Sequence, residues 1–281
     1  MKLKFLFTFI VSSILLVSCS DGKSSSSSSS SRNDGALTCS TDKVIIGGEL
    51  DWFSREEIDD YNQRANSLAV GQLKLPAQFA SCTAFLINKD TIMTNNHCVT
   101  RASDLKNSTF NLYDENENRQ SYKCRTFLGS KPSLDYALIK CENNPGDKHG
   151  YVYLDTQAPE VGNSMYVVQE NCNYIDEPYC EIDRYVSYGD IIDIRGSRIT
   201  HLADTLPGSS GSPIVSLDKH KVIALHNAGS TTSTSAFNYG IPMNKIIKSM
   251  QQYFPRVEFS TDLNIRAPRS NIDRSPSSCA E

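Results

Sequence analysis

Histidine and tryptophan are scarce in this chain. Five histidines and one tryptophan are spread over 281 residues, so any chemistry that needs an imidazole can be traced to few positions. There is no Cys-x-x-Cys pair and no His-Glu-x-x-His, which removes the usual supports for a structural zinc site or a zinc-protease centre. No basic tract follows the first residues and the formal net charge is −4, which argues against nucleic acid as a partner. The apolar stretch "FLFTFIVSSILLV" near the start, preceded by Lys2 and Lys4, is too short to cross a bilayer as a helix.

That stretch has the proportions of an export signal. It ends in "LVSC", which resembles the lipobox of bacterial lipoproteins. The resemblance implies a signal peptide over 1–18, lipidation of Cys19 and a membrane anchor there. Ser20, rather than Asp, follows Cys19, which favours the outer membrane. The serine tract within 19–38 has no apolar residue able to repay ordering and reads as a tether. Residues 39–281 remain for the folded part, enough for one large β domain or two small ones. Nine cysteines in an exported chain point to an oxidising compartment. Eight remain when Cys19 is set aside, and spacing alone does not pair them.

From Ala80 onward, short apolar or β-branched runs alternate with Gly, Asn, Asp and Pro: "CTAFLI", "TIMT", "YALIKC", "SMYVVQ", "DIIDI", "SRITHL", "SPIV", "KVIALH", "NYGIP". Many short strands with turn residues between them predict an all-β sandwich or barrel. In "MNKIIKSMQQYF", Ile246, Ile247, Met250, Tyr253 and Phe254 recur at helical spacing and Pro255 ends the run. "SREEIDDYNQRA" reads as a second, exposed helix. His149 and His220 sit in polar turns, His201 reads as a strand residue, and Trp52 reads as a loop aromatic.

The turn "LPGSSGSPIV" raises the question of chemistry. Serine becomes a nucleophile when a base takes its proton and a third group holds the base's tautomer. His97 in "TIMTNNHCV" follows a strand, and Asp135 in "LDYALIKC" immediately precedes one. Ser210 lies in "GSSGSP", whose glycines permit a turn sharp enough to aim two N–H groups at one point.

"TNNHC", "DYALI" and "GSSGSP" resemble, in order and spacing, the catalytic motifs of chymotrypsin-fold, trypsin-like serine proteases: Thr-Ala-Ala-His-Cys, Asp-x-Ala-Leu and Gly-Asp-Ser-Gly-Gly-Pro. The resemblance runs from about Val44 to Phe254. It implies two six-stranded antiparallel β-barrels with a C-terminal α-helix, divided at about 150–160, and a site in the cleft between them. Ser210 would attack the peptide carbonyl, His97 would serve as base and then acid, and Asp135 would orient His97. The N–H groups of Gly208 and Ser210 would form the oxyanion hole. Such a mechanism needs no metal and no organic cofactor, and its partner is a protein or peptide substrate met by a monomer. The α/β-hydrolase order of Ser, acid and His is not the order found.

Two departures bear on specificity and activation. Ser209 stands where the digestive enzymes carry the Asp that pairs with a new N-terminal amine. "GSSGSP" together with "VIALHNAG" resembles instead the bacterial glutamyl endopeptidase branch, which implies that His226, with Thr205, receives a substrate carboxylate. Asp204, six residues before Ser210, offers the alternative of cleavage after Arg or Lys. A catalytically silent binding module on the same fold is a further alternative. Cys82–Cys98 is the bridge beside the catalytic histidine in the chymotrypsin family. Cys172–Cys180 is the simplest local pairing, Cys124–Cys141 flanks the Asp135 segment, and Cys39–Cys279 is the pair left over. "STDKVIIGGELDW" resembles a processed N-terminus, which implies cleavage after Lys43 freeing Val44; an uncut extension is the alternative.

Overall fold

The computed structural model describes residues 45–46, 50–172, 180–231 and 236–261, all within the unit Cys39–Glu281. Cys19, the bond after Lys43 and the expected Cys39–Cys279 pair lie outside the described residues.

A two-residue strand β1 (Phe53–Ser54) and a short helix α1 (Tyr61–Ser67) precede the first barrel. That barrel is built from β2 (Val70–Leu75), β3 (Ala80–Leu86), β4 (Thr91–Thr94), β5 (Thr109–Tyr113), β6 (Arg119–Lys131) and β7 (Tyr136–Cys141). It closes in the order β2-β3-β4-β7-β6-β5 through the antiparallel β2–β5 pairing. Leu73, Phe85, Ile92, Phe110 and Leu138 are fully buried. Each contributes about 1.5–3 kcal/mol through loss of water-exposed apolar surface.

The connection carries α2 (Pro145–His149) and leads into β8 (Ser164–Asn171), β9 (Asp183–Arg195), β10 (Arg198–His201), β11 (Pro213–Ser216), β12 (Val222–Thr231) and β13 (Ala236–Pro242). These strands run in the order β9-β10-β13-β12-β11-β8, and the β8–β9 pairing closes them into a second barrel. β1 adds to the outside of β9. The final helix α3 (Met243–Tyr253) buries Ile246, Ile247 and Met250, the spacing that predicts it. Its Tyr253 is half exposed instead. Two closed six-stranded antiparallel barrels and a C-terminal helix are therefore the architecture that the motifs imply.

Closing a sheet leaves no edge strand exposed for pairing with other chains. It also lets polar segments become strands: β6 alternates exposed and covered residues and is paired on both sides, to β5 and β7. Its polarity hides it from a search for apolar runs.

Three disulfides are present among the described residues. Cys82–Cys98 joins β3 to the turn after β4, Cys124–Cys141 joins directly opposed residues of β6 and β7, and Cys172–Cys180 links the ends facing each other past β8 and before β9. Between the barrels, Arg184 of β9 is fully buried, paired to Glu170 of β8 at 3.1 Å, and donates to the carbonyl of Val70 in β2. A buried pair of this kind is costly to half-remove.

Two expectations from sequence need correction. The "SREEIDDYNQRA" segment is a 3-10 turn, Arg55–Glu57, followed by α1, and the latter buries Gln63, Ala65, Asn66 and Ser67. Polarity there does not mean exposure, because Asn66 donates to Tyr166 Oη and to the His220 carbonyl, and Gln63 accepts from Tyr188 Oη. His149 is also buried, with Nε2 2.9 Å from Tyr122 Oη. Burial pushes its pKa down to about 4. Trp52 stacks on Tyr185 with ring centroids 4.1 Å apart.

Candidate active site

His97 lies in the turn that follows β4, held by the neighbouring Cys98 bridge to β3. Asp135 caps a 3-10 turn, Pro132–Leu134, in a left-handed conformation (φ 45°), and β7 starts at the next residue. This geometry turns the carboxylate back toward β4. His97 Nδ1 is 2.9 Å from Asp135 Oδ2, and the His97 backbone N–H donates to Oδ1 at 3.0 Å. Asn95 donates to the Asp135 carbonyl at 3.0 Å. The Asp135 side chain is 8% exposed and that of His97 is 23% exposed, so the acid is sheltered while the ring still reaches solvent. An imidazole held in this way keeps its proton on Nδ1 and offers Nε2 as a base.

Ser210 comes from the second barrel, on the turn before β11. Gly208 (φ 110°) and Gly211 (φ 89°) flank it in conformations that other residues rarely adopt. A Cβ on Gly211 would lie 2.2 Å from the Thr83 carbonyl oxygen, so the turn packs directly on β3. The Ser210 carbonyl accepts from Thr83 N–H at 2.9 Å.

A cleft of about 240 Å³ is lined by His97, Gly208, Ser210, Thr205, His226 and Gly229, among others. His97 and Ser210 thus face one space, and among the described residues no hydrogen bond joins them. Catalytic contacts often tighten only when substrate is bound.

Of the three residues expected in a specificity pocket, Thr205 and His226 line this cleft and Asp204 does not. Asp204 is 2% exposed, and its carboxylate accepts N–H bonds from Ile46 and Asp51, both at 2.7 Å. A buried carboxylate goes where donors are, and here the donors belong to the N-terminal segment. Burial raises its pKa, against those two bonds. Thr205 Oγ1 donates to Asn238 Oδ1 at 2.7 Å.

Two polar residues of the site have no role assigned by the sequence, although Asn227 lies in "VIALHNAG" and His201 in "SRITHL". Asn227 of β12 donates through Nδ2 to Asp135 Oδ2 at 3.3 Å, so the second barrel also holds the acid of the first. His201 of β10 lies behind His226, with Nε2 3.3 Å from His226 Nδ1. Burial, with the neighbouring His97 adding to it and a backbone bond to Tyr239 opposing it, pushes the His226 pKa down to about 3. Burial and His226 drive His201 down as well. The sequence places His201 in a strand, at the end of β10, and carries no sign of its partner His226.

A family model described as trypsin-like peptidase domain matches residues 82–225, which include all three motifs. The chain belongs to the trypsin-like peptidase family. This trypsin-like peptidase is 27% identical over 177 residues to secreted RxLR effector protein 73 of Plasmopara viticola, a match that covers 56% of this chain and 44% of that protein. It therefore spans less than half the length of that relative. Among solved structures it resembles a Glu endopeptidase in complex with MPD, with a TM-score of 0.61 at 18% identity over 76% of this chain and 100% of the other. It also resembles Deg5, with a TM-score of 0.52 at 18% identity over 69% and 93%. At these identities the likeness is one of fold, a chymotrypsin-like pair of barrels.

Proposed function

We propose that this trypsin-like peptidase is a serine endopeptidase in which Ser210 attacks the scissile carbonyl, His97 carries the proton and Asp135 orients His97. The observation that carries the reading is the 2.9 Å pairing of His97 Nδ1 with a sheltered Asp135, in the cleft that Ser210 also lines. His97 Nε2 would accept the Ser210 proton as the tetrahedral intermediate forms and return it to the departing amine, leaving an acyl-enzyme that water hydrolyses. The N–H groups of Gly208 and Ser210 would receive the oxyanion. Loss of one such donor typically costs about a hundredfold or more in turnover. Labelling with a fluorophosphonate, absent in Ser210→Ala, tests this mechanism. A correctly folded protein that neither labels nor cleaves any member of a peptide library would instead be a binding module.

Acidic specificity is the finer part of the proposal, with cleavage after Glu. His226 lines the cleft as a desolvated neutral imidazole, and a substrate carboxylate brought beside it would favour its protonated form. The engagement of Asp204 with Ile46 and Asp51 disfavours cleavage after Arg or Lys, because a cation in the cleft would find no free carboxylate among the described residues that line it. Export with a lipid anchor at Cys19 completes the reading. The anchor rests on the N-terminal sequence, and export is supported as well by three disulfides and by likeness to a protein described as secreted.

A further inference from the structure

Behind the turn that carries Ser210 lies an uncharged hydrogen-bonded cluster that the triad does not use. Ser209 is fully buried. Its Oγ lies 2.5 Å from Gln169 Oε1, 2.7 Å from the Leu206 carbonyl and 3.2 Å from the Leu206 N–H, and it accepts from Asn171 Nδ2 at 2.8 Å. Asn171 Nδ2 also donates to Gln169 Oε1 at 2.9 Å. Gln169 Nε2 donates to the Asp204 carbonyl at 2.9 Å and to Ser187 Oγ at 2.8 Å. The two amide N–H bonds of each side chain are thus matched to two acceptors. Glu170 joins through its backbone: its N–H donates to Thr83 Oγ1, which donates to the Gly208 carbonyl, both at 2.9 Å.

Three consecutive residues at the end of β8 therefore hold the segment from Asp204 to Ser209 at four of its residues: Asp204, Gly208 and Ser209 directly or through Thr83, and Leu206 through Ser209. Contact is close enough that a Cβ on Gly208 would lie 3.0 Å from the Glu170 carbonyl oxygen. None of these bonds needs a formal charge. We infer that Gln169 and Asn171 are positioning residues for the nucleophile turn, fixing Gly208 and Ser210 in the arrangement that receives the oxyanion. The inference rests on the serine endopeptidase reading above. It extends that reading by assigning the assembly of the turn to neutral side chains of β8.

Donors aimed at an oxyanion act on the transition state and not on the bound peptide, so loosening the turn should lower kcat and leave KM nearly unchanged. A displacement of about 1 Å can cost on the order of a hundredfold. Gln169→Met removes all four of these side-chain hydrogen bonds of Gln169 at similar volume, and Asn171→Ala removes the two bonds to Ser209 and Gln169 while leaving Gln169 tied to Asp204. The experiment compares both variants with the wild type for kcat, for KM, and for inhibition by a peptide aldehyde, which forms a tetrahedral adduct, against the corresponding peptide acid, which does not.

The expected result is a fall in kcat of about tenfold or more with KM within about twofold. Aldehyde affinity should fall in parallel with kcat, and peptide-acid affinity should hold. If Gln169→Met does not fold, Asn171→Ala decides. Variants that fold and keep wild-type kcat overturn the inference, as does an equal loss of aldehyde and peptide-acid binding, the mark of a merely structural role. A wild type that cleaves no peptide would overturn the endopeptidase reading itself, an outcome distinct from variants that match an active wild type.

Discussion

Asn227 crosses from the second barrel to the first, placing Nδ2 3.3 Å from Asp135 Oδ2, the same oxygen that pairs with His97 Nδ1. Asp135 is therefore held by two barrels, and the position of the His97 ring depends on how they dock. A hydrogen bond to a charged group contributes about 1.5–3 kcal/mol. Asn227→Ala should accordingly lower kcat/KM about tenfold or more while the fold persists. An effect below twofold would show that His97 and Asn95 suffice to hold Asp135.

Ser210→Ala and His97→Ala should each remove peptidase activity, because members of a triad act as a unit and losing one costs nearly as much as losing all. Thermal stability should change little, since neither side chain is part of the buried core. Ser209 and Ser212 are fully buried and should not substitute as nucleophile. Activity retained in Ser210→Ala would refute the assignment.

Cleavage should occur after Glu and less well after Asp. His226→Ala should weaken that preference more than Asp204→Asn does, by about 1–3 kcal/mol in the Glu-against-Gln comparison, the cost of leaving a partly desolvated carboxylate without a donor. Asp204→Asn should act instead on the N-terminal segment, because its carboxylate binds Ile46 and Asp51. Peptide-library profiling of both variants reads the two effects. A wild type that prefers Arg or Lys would reverse this reading.

Acid should destabilise the fold through its buried imidazoles. The pKa of His226 is lowered to about 3 and that of His149 to about 4, against an unfolded value of about 6.5. Between these limits the unfolded chain binds more protons than the folded one, so stability is fully present above about pH 6.5 and is lost as pH falls toward the folded values. The loss is on the order of 3 to 5 kcal/mol for His226 once the pH falls to about 3. Tm should drop steadily from pH 7 to 4, and His226→Gln should flatten that slope. Equal slopes in the two proteins would count against a neutral, buried His226.

Much of the candidate site's geometry was legible because its backbone requirements are local. A turn that must place a serine between two left-handed residues needs glycine, which is why Gly208 and Gly211 mark Ser210. An acid placed at the start of a strand shows as Asp135 before "YALIKC", and the C-terminal helix shows in the spacing of Ile246, Ile247 and Met250. Asn227, His201 and Gln169 were not legible. Each sits in a strand as a polar residue whose partner lies on another element, 92, 25 and 40 residues away for Asp135, His226 and Ser209.

Asp204 shows the division most clearly. Its offset from Ser210 is a property of the sequence, and two pocket readings were compatible with it. Which way its side chain faces depends on where a buried carboxylate finds donors, and Ile46 and Asp51, more than 150 residues earlier in the chain, supply them. The sequence by itself determined the strand-rich class, the order of His97, Asp135 and Ser210 and the glycines of the turn, because backbone conformation and hydrophobic alternation are set within a few residues. The docking of Asn227 on Asp135, the bracing of Ser209 by β8 and the removal of Asp204 from the cleft were decided only by the tertiary structure, because a buried polar group must be satisfied by whatever the fold brings to it.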